Sequence, residues 1–172
     1  MKQGKLKYND PHKLMLANRK SAFLTYIAPA TQLKSILEFI LAKEVVPFQT
    51  INFMKGSELR AHSDSVHMTT FPLGYMIAAW IALEDVTREN GPLFYYPGSH
   101  KMPYLLNKDF YKGESGLTLG KKNYKDYEAL LEATIEASPF EQKEFYAKKG
   151  DVLIWHANLV HGGSPVLNEN LT

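Results

Sequence analysis

The apolar positions in two stretches of the chain recur every three or four residues, which is the spacing of one helix face. The first stretch predicts a helix that begins at Thr31, a possible N-cap, and ends before Pro47. The second predicts a helix from about Tyr124 to Glu136. The apolar face of the first helix consists of Leu33, Ile36, Leu37, Ile40 and Leu41.

Most of the remaining chain consists of short apolar runs between turn signals such as Asn90-Gly91-Pro92 and Lys149-Gly150-Asp151. Many short strands with little helix, and no alternation of strands with helices, are typical of a jelly roll. We therefore expect a mainly β fold, a double-stranded β-helix of the cupin-like kind with one or two flanking helices. The predicted strands are 48–53, 59–65, 75–83, 93–96 and 152–155.

Composition narrows the classes of function. A chain of 172 residues fits one domain. Its net charge of +2 is too small, and its lysines and arginines too scattered, to indicate a nucleic-acid partner. The longest apolar run, Met76 to Leu83, is far shorter than the roughly 20 residues that span a bilayer. The basic start of the chain is not followed by the apolar segment of a signal peptide, so we expect no membrane association and a cytoplasmic location.

The absence of cysteine restricts any transition-metal site to imidazole and carboxylate ligands. The triplet His62-Ser63-Asp64 lies in the predicted strand 59–65, where residues two apart point to the same face. With a third ligand from a distant strand, such a pair makes the two-histidine, one-carboxylate triad of non-haem iron enzymes. The triplet alone is a weak signal, because an exposed strand with two solvated polar residues would look the same.

His161 is the candidate for the distant ligand. It precedes Gly162-Gly163, which would let the backbone turn tightly beside a bound ligand. From spacing alone, a histidine that caps a loop is the favoured alternative. We expect His156 to be packed within its strand and His67 to have the wrong strand parity to join Asp64. His100 lies in a turn, and His12 lies in the N-terminal arm.

Three segments of the chain resemble the phytanoyl-CoA dioxygenase family in order and spacing. They are LRAHSD at 59–64, AWIALEDVTRENGPLFYYPGSH at 79–100 and GDVLIWHANLVHGGSP at 150–165. The resemblance implies one jelly-roll oxygenase domain over residues 1–172, in which Fe(II) is bound by His62, Asp64 and His161. It also implies that the cosubstrate 2-oxoglutarate lies beside Trp80, with hydrogen bonds from Gln49, Asn52 or Ser164.

The family reaction implied by this resemblance converts 2-oxoglutarate and O2 to succinate and CO2 while a small-molecule substrate is hydroxylated. Related halogenases carry a small residue in place of the metal-binding carboxylate, so Asp64 favours hydroxylation. Two family features are absent here: an arginine after the distal histidine, which binds the far carboxylate of 2-oxoglutarate, and the closing strand. We therefore expect a domain without its C-terminal strand. Either the chain is shortened or a fragment, or another cation substitutes for the arginine. Arg60 shares the parity of His62 and Asp64, but a role as a substrate or structural residue is favoured for it over one with the cosubstrate.

Three alternatives fit the same residues less well. A cupin-like metal enzyme that does not use 2-oxoglutarate would explain the missing arginine, but the 79–100 segment is characteristic of the 2-oxoglutarate branch. A non-catalytic homologue would bind the metal without turnover. Hydrolytic zinc chemistry can also use two histidines and one carboxylate. The pattern specifies neither a particular substrate nor an oligomeric state.

Overall fold

The computed structural model describes residues 13–15, 31–53, 55–110 and 121–171. The chain forms two compact units, the first up to Lys55 and the second from Gly56 onward. No helix in the described segments is long and apolar enough to cross a membrane.

The described residues of the first unit form one helix and one strand pair. Helix α1 (Thr31–Leu41) occupies the interval that the apolar spacing predicts, and β1 (Lys13–Met15) pairs with β2 (Ile51–Phe53) in antiparallel orientation. The predicted strand at 48–53 thus begins only at Ile51. Helix α1 stops where Ala42 adopts a left-handed φ of 50°, which turns the chain and lets the Lys43 N–H close the last turn. The capping contact predicted for Thr31 lies outside the described side chains.

In the second unit, residues 56–110 and 121–171 form two antiparallel sheets and one long helix, α2 (Lys121–Glu136). One sheet pairs two strands, and the other has the order β5-β4-β7. This arrangement confirms the mainly β prediction, and α2 confirms the second predicted helix. The strands are β3 (Ile77–Ile81), β4 (Leu93–Tyr95), β5 (Lys143–Phe145), β6 (Val152–His156) and β7 (His161–Gly163), with β3 paired to β6.

The strand predicted at 59–65 is wrong. His62 makes one antiparallel bridge, to His161, and the chain then curls into a 3-10 turn, Asp64–Val66. Two stabilising contributions favour this 3-10 turn over a continued strand. The turn places Val66, which is 1% exposed, in the core, and the Ser65 hydroxyl finds partners in Ser63 and Asn158.

The two sheets of the second unit present facing inner surfaces. Strand register places Trp80 and Trp155 on one face of the β3-β6 pair, because Ala78 lies opposite Trp155 and two residues from Trp80. The ring centroid of Trp80 is 6.0 Å from that of Phe145 on β5, and that of Trp155 is 4.8 Å from that of His161 on β7. Side chains of both sheets therefore meet in the space between them.

The paired glycines of β7 serve close packing, and the tight turn predicted for them is wrong. Both lie in an extended, buried strand. A Cβ added to Gly162 would meet the Phe94 ring and come within 2.6 Å of the Leu59 carbonyl oxygen. A Cβ on Gly163 would lie 2.8 Å from the Glu58 nitrogen. The missing side chains let β4 and segment 57–59 approach the strand that begins at His161.

We expect Gly163→Ala to destabilise the fold by about 1–3 kcal/mol, the usual cost of overpacking, because the new methyl group meets backbone that cannot rotate away. Urea denaturation followed by tryptophan fluorescence measures the change. Gly150→Asn is the comparison at a glycine in open space, where any loss of stability reflects only the φ of 96° and no close contact. Equal stability of Gly163→Ala and the parent would contradict this packing argument.

Candidate metal centre

Three ligand atoms converge between the bridge at His62 and the start of β7. The Asp64 Oδ1 atom lies 4.0 Å from His62 Nε2 and 3.8 Å from His161 Nε2. All three residues offer atoms within 4.8 Å of one another, so that a single ion could bind to all of them. The His62 and His161 side chains are only 12% and 8% exposed, and that of Asp64 is 28% exposed.

Backbone pairing brings the two histidines together. The His62 N–H donates to the His161 carbonyl oxygen and the His161 N–H donates to the His62 carbonyl oxygen, both at 2.9 Å. This reciprocal pair places the side chains on the same face of neighbouring strands. Their ring centroids are consequently 4.5 Å apart.

The second ring nitrogen of each histidine fixes which nitrogen faces the common point. His62 Nδ1 lies 2.8 Å from the Arg60 carbonyl oxygen, and His161 Nδ1 lies 3.0 Å from the Leu159 carbonyl oxygen. Because a carbonyl oxygen only accepts, each Nδ1 must carry the proton and donate. Each Nε2 then keeps a free lone pair, which is the orientation usual in histidines that bind metals.

Asp64 is oriented by Trp155, whose indole N–H donates to Oδ2 at 3.0 Å. The other oxygen of the carboxylate, Oδ1, faces the two histidines. Sequence reasoning missed this residue, because Trp155 was assigned only to an apolar strand. The sequence did contain a signal for this role. A buried tryptophan usually needs an acceptor for its indole N–H, and the neighbours of Trp155 on the same face of its strand are apolar, so the acceptor must come from elsewhere in the chain.

His62 is held neutral before any ion binds. Burial, followed by the nearby His161 ring, lowers the pKa of His62 to about 4. The carbonyl oxygen of Arg60 and the carboxylate of Asp64 act in the opposite direction and are outweighed. At neutral pH the ring is therefore unprotonated and available as a ligand without releasing a proton.

The turn between the first two ligands is held from both sides. On one side the buried Tyr127 hydroxyl of α2 accepts the Ser63 N–H at 2.8 Å. On the other, the Ser65 N–H donates to the Ala157 carbonyl oxygen at 3.1 Å, and the Ser65 hydroxyl donates to Asn158 Oδ1 at 2.8 Å. The segment 62–65, which carries His62 and Asp64, is thus hydrogen-bonded both to α2 and to the connection between β6 and β7.

The other described histidines lie outside the triad. The His67 ring is 6.3 Å from that of His62 and stacks on Tyr124. His156 points to the opposite face of β6 from Trp155; burial, then the His100 ring, lowers its pKa. Its Nδ1 accepts the Asn158 N–H, in agreement with the packed role expected for it. His100 lies in a 3-10 turn, as expected, and His12 lies outside the described residues.

The residues predicted to contact the cosubstrate occupy different places. Trp80 is half-buried on the inner face of β3. The Ser164 hydroxyl donates to Glu144 Oε1 at 2.8 Å. Gln49 and Asn52 belong to the first unit, before and within β2. The Arg60 side chain is 74% exposed and lies 4.0 Å from Glu128, so its charge already faces a carboxylate at the surface.

Strand register places one cation on the inner surface. Tyr95 lies opposite His161 on one side and opposite Lys143 on the other, so the three side chains form a row across β7, β4 and β5. Phe145 shares the face of Lys143 and contacts Trp80, which confirms that this face is the inner one. Among strands β3 to β7, Lys143 is the only lysine or arginine on that surface. No carboxylate of the described segments pairs with it.

The donor set suits a divalent transition metal. Two neutral imidazoles and one carboxylate on one side of a point, with no thiolate, match the triad that leaves open coordination positions on non-haem Fe(II). Each ligand has an outer hydrogen bond of the kind that such sites need: the histidines donate to the Arg60 and Leu159 carbonyl oxygens, and Asp64 accepts from Trp155.

The chain matches the family model described as phytanoyl-CoA dioxygenase over residues 9–171. A phytanoyl-CoA dioxygenase of Arabidopsis thaliana is 31% identical over 145 residues, which cover 80% of this chain and 44% of the relative. The chain spans less than half the length of the curated relatives it matches.

Two solved structures share the fold. The non-heme alpha ketoglutarate dependent carbocyclase SnoK has a TM-score of 0.66 at 19% identity, over 92% of this chain and 59% of that one. EctD from S. alaskensis with bound Fe has a TM-score of 0.65 at 21% identity, over 91% of this chain and 52% of that one. Because the family model covers nearly the whole sequence, this chain belongs to the phytanoyl-CoA dioxygenase family.

Proposed function

We propose that this chain is an Fe(II)- and 2-oxoglutarate-dependent dioxygenase that hydroxylates a small-molecule substrate. The observation that carries the proposal is the convergence of His62 Nε2, Asp64 Oδ1 and His161 Nε2 on one point, with the other polar atoms of all three residues already hydrogen-bonded. Family membership and the iron named for EctD support the same metal.

We further propose that the two sheets of the second unit are the halves of a double-stranded β-helix, and a single domain over residues 1–172 remains a prediction. The facing inner surfaces and the order β5-β4-β7 support this view. The bridge from His62 to β7 adds a fourth position to that sheet. The metal site lies at this added edge, where the two sheets come together.

In this proposal His62, Asp64 and His161 would bind Fe(II). Hydrogen bonds with Trp155 and with the carbonyl oxygens of Arg60 and Leu159 orient these three ligands. Iron and 2-oxoglutarate, when bound, would supply the O2-dependent oxidation of a C–H bond, with succinate and CO2 as coproducts. Trp80 would line the cosubstrate site from the inner face of β3. Ser164 would donate a hydrogen bond to the cosubstrate and would first have to release Glu144. The roles of Gln49 and Asn52 remain predictions from the sequence.

We propose that Lys143 binds the far carboxylate of 2-oxoglutarate. Its Cα atom lies two strand spacings, about 10 Å, from that of His161. Lys143 is exposed, and no ion pair engages it in the part of the chain that the structure describes, so its ammonium group can bind an anion. Arg60 is the weaker candidate, since it already lies near Glu128.

Hydroxylation is favoured over halogenation because Asp64 occupies the carboxylate position and its second oxygen is fixed by Trp155. A zinc hydrolase and a cupin-like enzyme that does not use 2-oxoglutarate could have the same metal ligands. Binding of 2-oxoglutarate to the metal-loaded chain distinguishes the proposed function from both. A cytoplasmic location remains a prediction.

We expect Asp64→Ala to weaken binding of Mn(II), a redox-stable substitute for Fe(II), by more than about 100-fold, since even outer partners of metal ligands contribute 10–100-fold. Calorimetric titration measures the dissociation constant. Asp85→Ala is the matched control, because that exposed carboxylate pairs with Lys148 at 2.8 Å away from the triad. Parental affinity in Asp64→Ala would contradict the assignment of the triad.

We expect Lys143→Gln to raise the dissociation constant of 2-oxoglutarate in the metal-loaded chain about tenfold or more, the effect of one lost charge-assisted hydrogen bond. Metal affinity should stay parental. Lys148→Gln is the control, because its charge is paired with Asp85 on the outer surface. If both variants bind 2-oxoglutarate like the parent, Lys143 does not bind the far carboxylate.

A further inference from the structure

We propose that Tyr127, on helix α2, is a positioning residue of the metal centre, whose hydroxyl fixes the peptide group between His62 and Ser63 and thereby sets metal affinity. The inference rests on the metal-binding part of the proposed function. Among the described residues, the hydroxyl of Tyr127 is hydrogen-bonded to Ser63 and to none of the three ligand side chains. It acts through the backbone of the loop that carries two of the three ligands.

The contact is buried and short. The Ser63 N–H donates to the Tyr127 hydroxyl oxygen at 2.8 Å, and the Ser63 hydroxyl lies 3.4 Å from the same oxygen. Tyr127 is 0% exposed and Ser63 is 3% exposed. Water therefore has no access with which to replace this acceptor, and a buried N–H without a partner is costly.

The peptide group between His62 and Ser63 is held at both ends. Its carbonyl oxygen, that of His62, accepts the His161 N–H at 2.9 Å. Its N–H, that of Ser63, donates to Tyr127. Rotation of this peptide plane would change the direction of His62 on one side and of Asp64 on the other. One end is thus fixed by the third metal ligand, and the other by a residue 64 positions away.

The ring and the hydroxyl of Tyr127 have separable roles. The ring packs in a core cluster with Val66, Leu131 and Val160. Phe110 also lies against it, with ring centroids 5.6 Å apart. A phenylalanine would keep these contacts and remove only the acceptor. The Ser63 N–H could then regain a partner only by moving the loop away from the geometry that the metal requires.

Tyr124 provides a matched comparison one helical turn earlier. Its ring stacks on His67, just after the metal-binding turn, with centroids 5.5 Å apart. Within the described chain its hydroxyl donates no hydrogen bond to that turn. Tyr124→Phe therefore removes a hydroxyl from the same part of α2 and leaves the Ser63 contact unchanged.

The experiment compares the parent chain, Tyr127→Phe and Tyr124→Phe by titration with Mn(II) alone and with Co(II) alone. We expect Tyr127→Phe to bind Mn(II) about 10–100-fold more weakly, the range for partners that orient metal ligands. Its Co(II) visible spectrum should also differ, because the ligand geometry changes. Tyr124→Phe should match the parent in both measurements. Far-UV circular dichroism verifies that each variant is folded at the assay temperature.

A parental dissociation constant and Co(II) spectrum in Tyr127→Phe would overturn the inference, even if that variant melts at a lower temperature. If Tyr127→Phe does not fold, amide hydrogen exchange of the metal-free parent tests whether the Ser63 N–H is held by the Tyr127 hydroxyl. Slow exchange of the Ser63 N–H supports the inference, and exchange as fast as in an open loop overturns it. A parent that binds neither metal would contradict the proposed function itself, which distinguishes the two failures.

Discussion

The reciprocal backbone pairing of His62 with His161 is the contact on which the metal centre depends. Two hydrogen bonds of 2.9 Å join residues that are far apart in the sequence and set both imidazoles on one face. Closing so long a loop costs conformational entropy, which the surrounding packing must offset. The glycines of β7 make that packing possible, because any side chain there would push segment 57–59 away.

Around this pair, the protein arranges the ligands before an ion arrives. Carbonyl oxygens orient both histidines, Trp155 orients Asp64, and the Tyr127 hydroxyl holds the peptide between the first two ligands. Burial keeps His62 neutral. A site preorganised in this way binds its metal without a large rearrangement, and the groups that hold it come from β6 and α2, both remote in sequence.

Local pattern predicted the elements and the ligand types well. The spacing of Leu33 to Leu41 predicted α1, and the pair His62 and Asp64 was recognisable because few residue types bind transition metals without cysteine. The 3-10 turn at Asp64–Val66 was not predictable, since it depends on the burial of Val66 and on a partner for Ser65. The inner position of Lys143 likewise depends on register across β5-β4-β7, which no local pattern contains.

The most direct test of the account is an anaerobic titration of the chain with Fe(II) followed by 2-oxoglutarate, with the visible absorption spectrum recorded at each addition. The account predicts a charge-transfer band that appears only when both are present, because the cosubstrate chelates an iron held by His62, Asp64 and His161. Iron binding without the band would contradict the role of 2-oxoglutarate. No iron binding at all would contradict the metal centre.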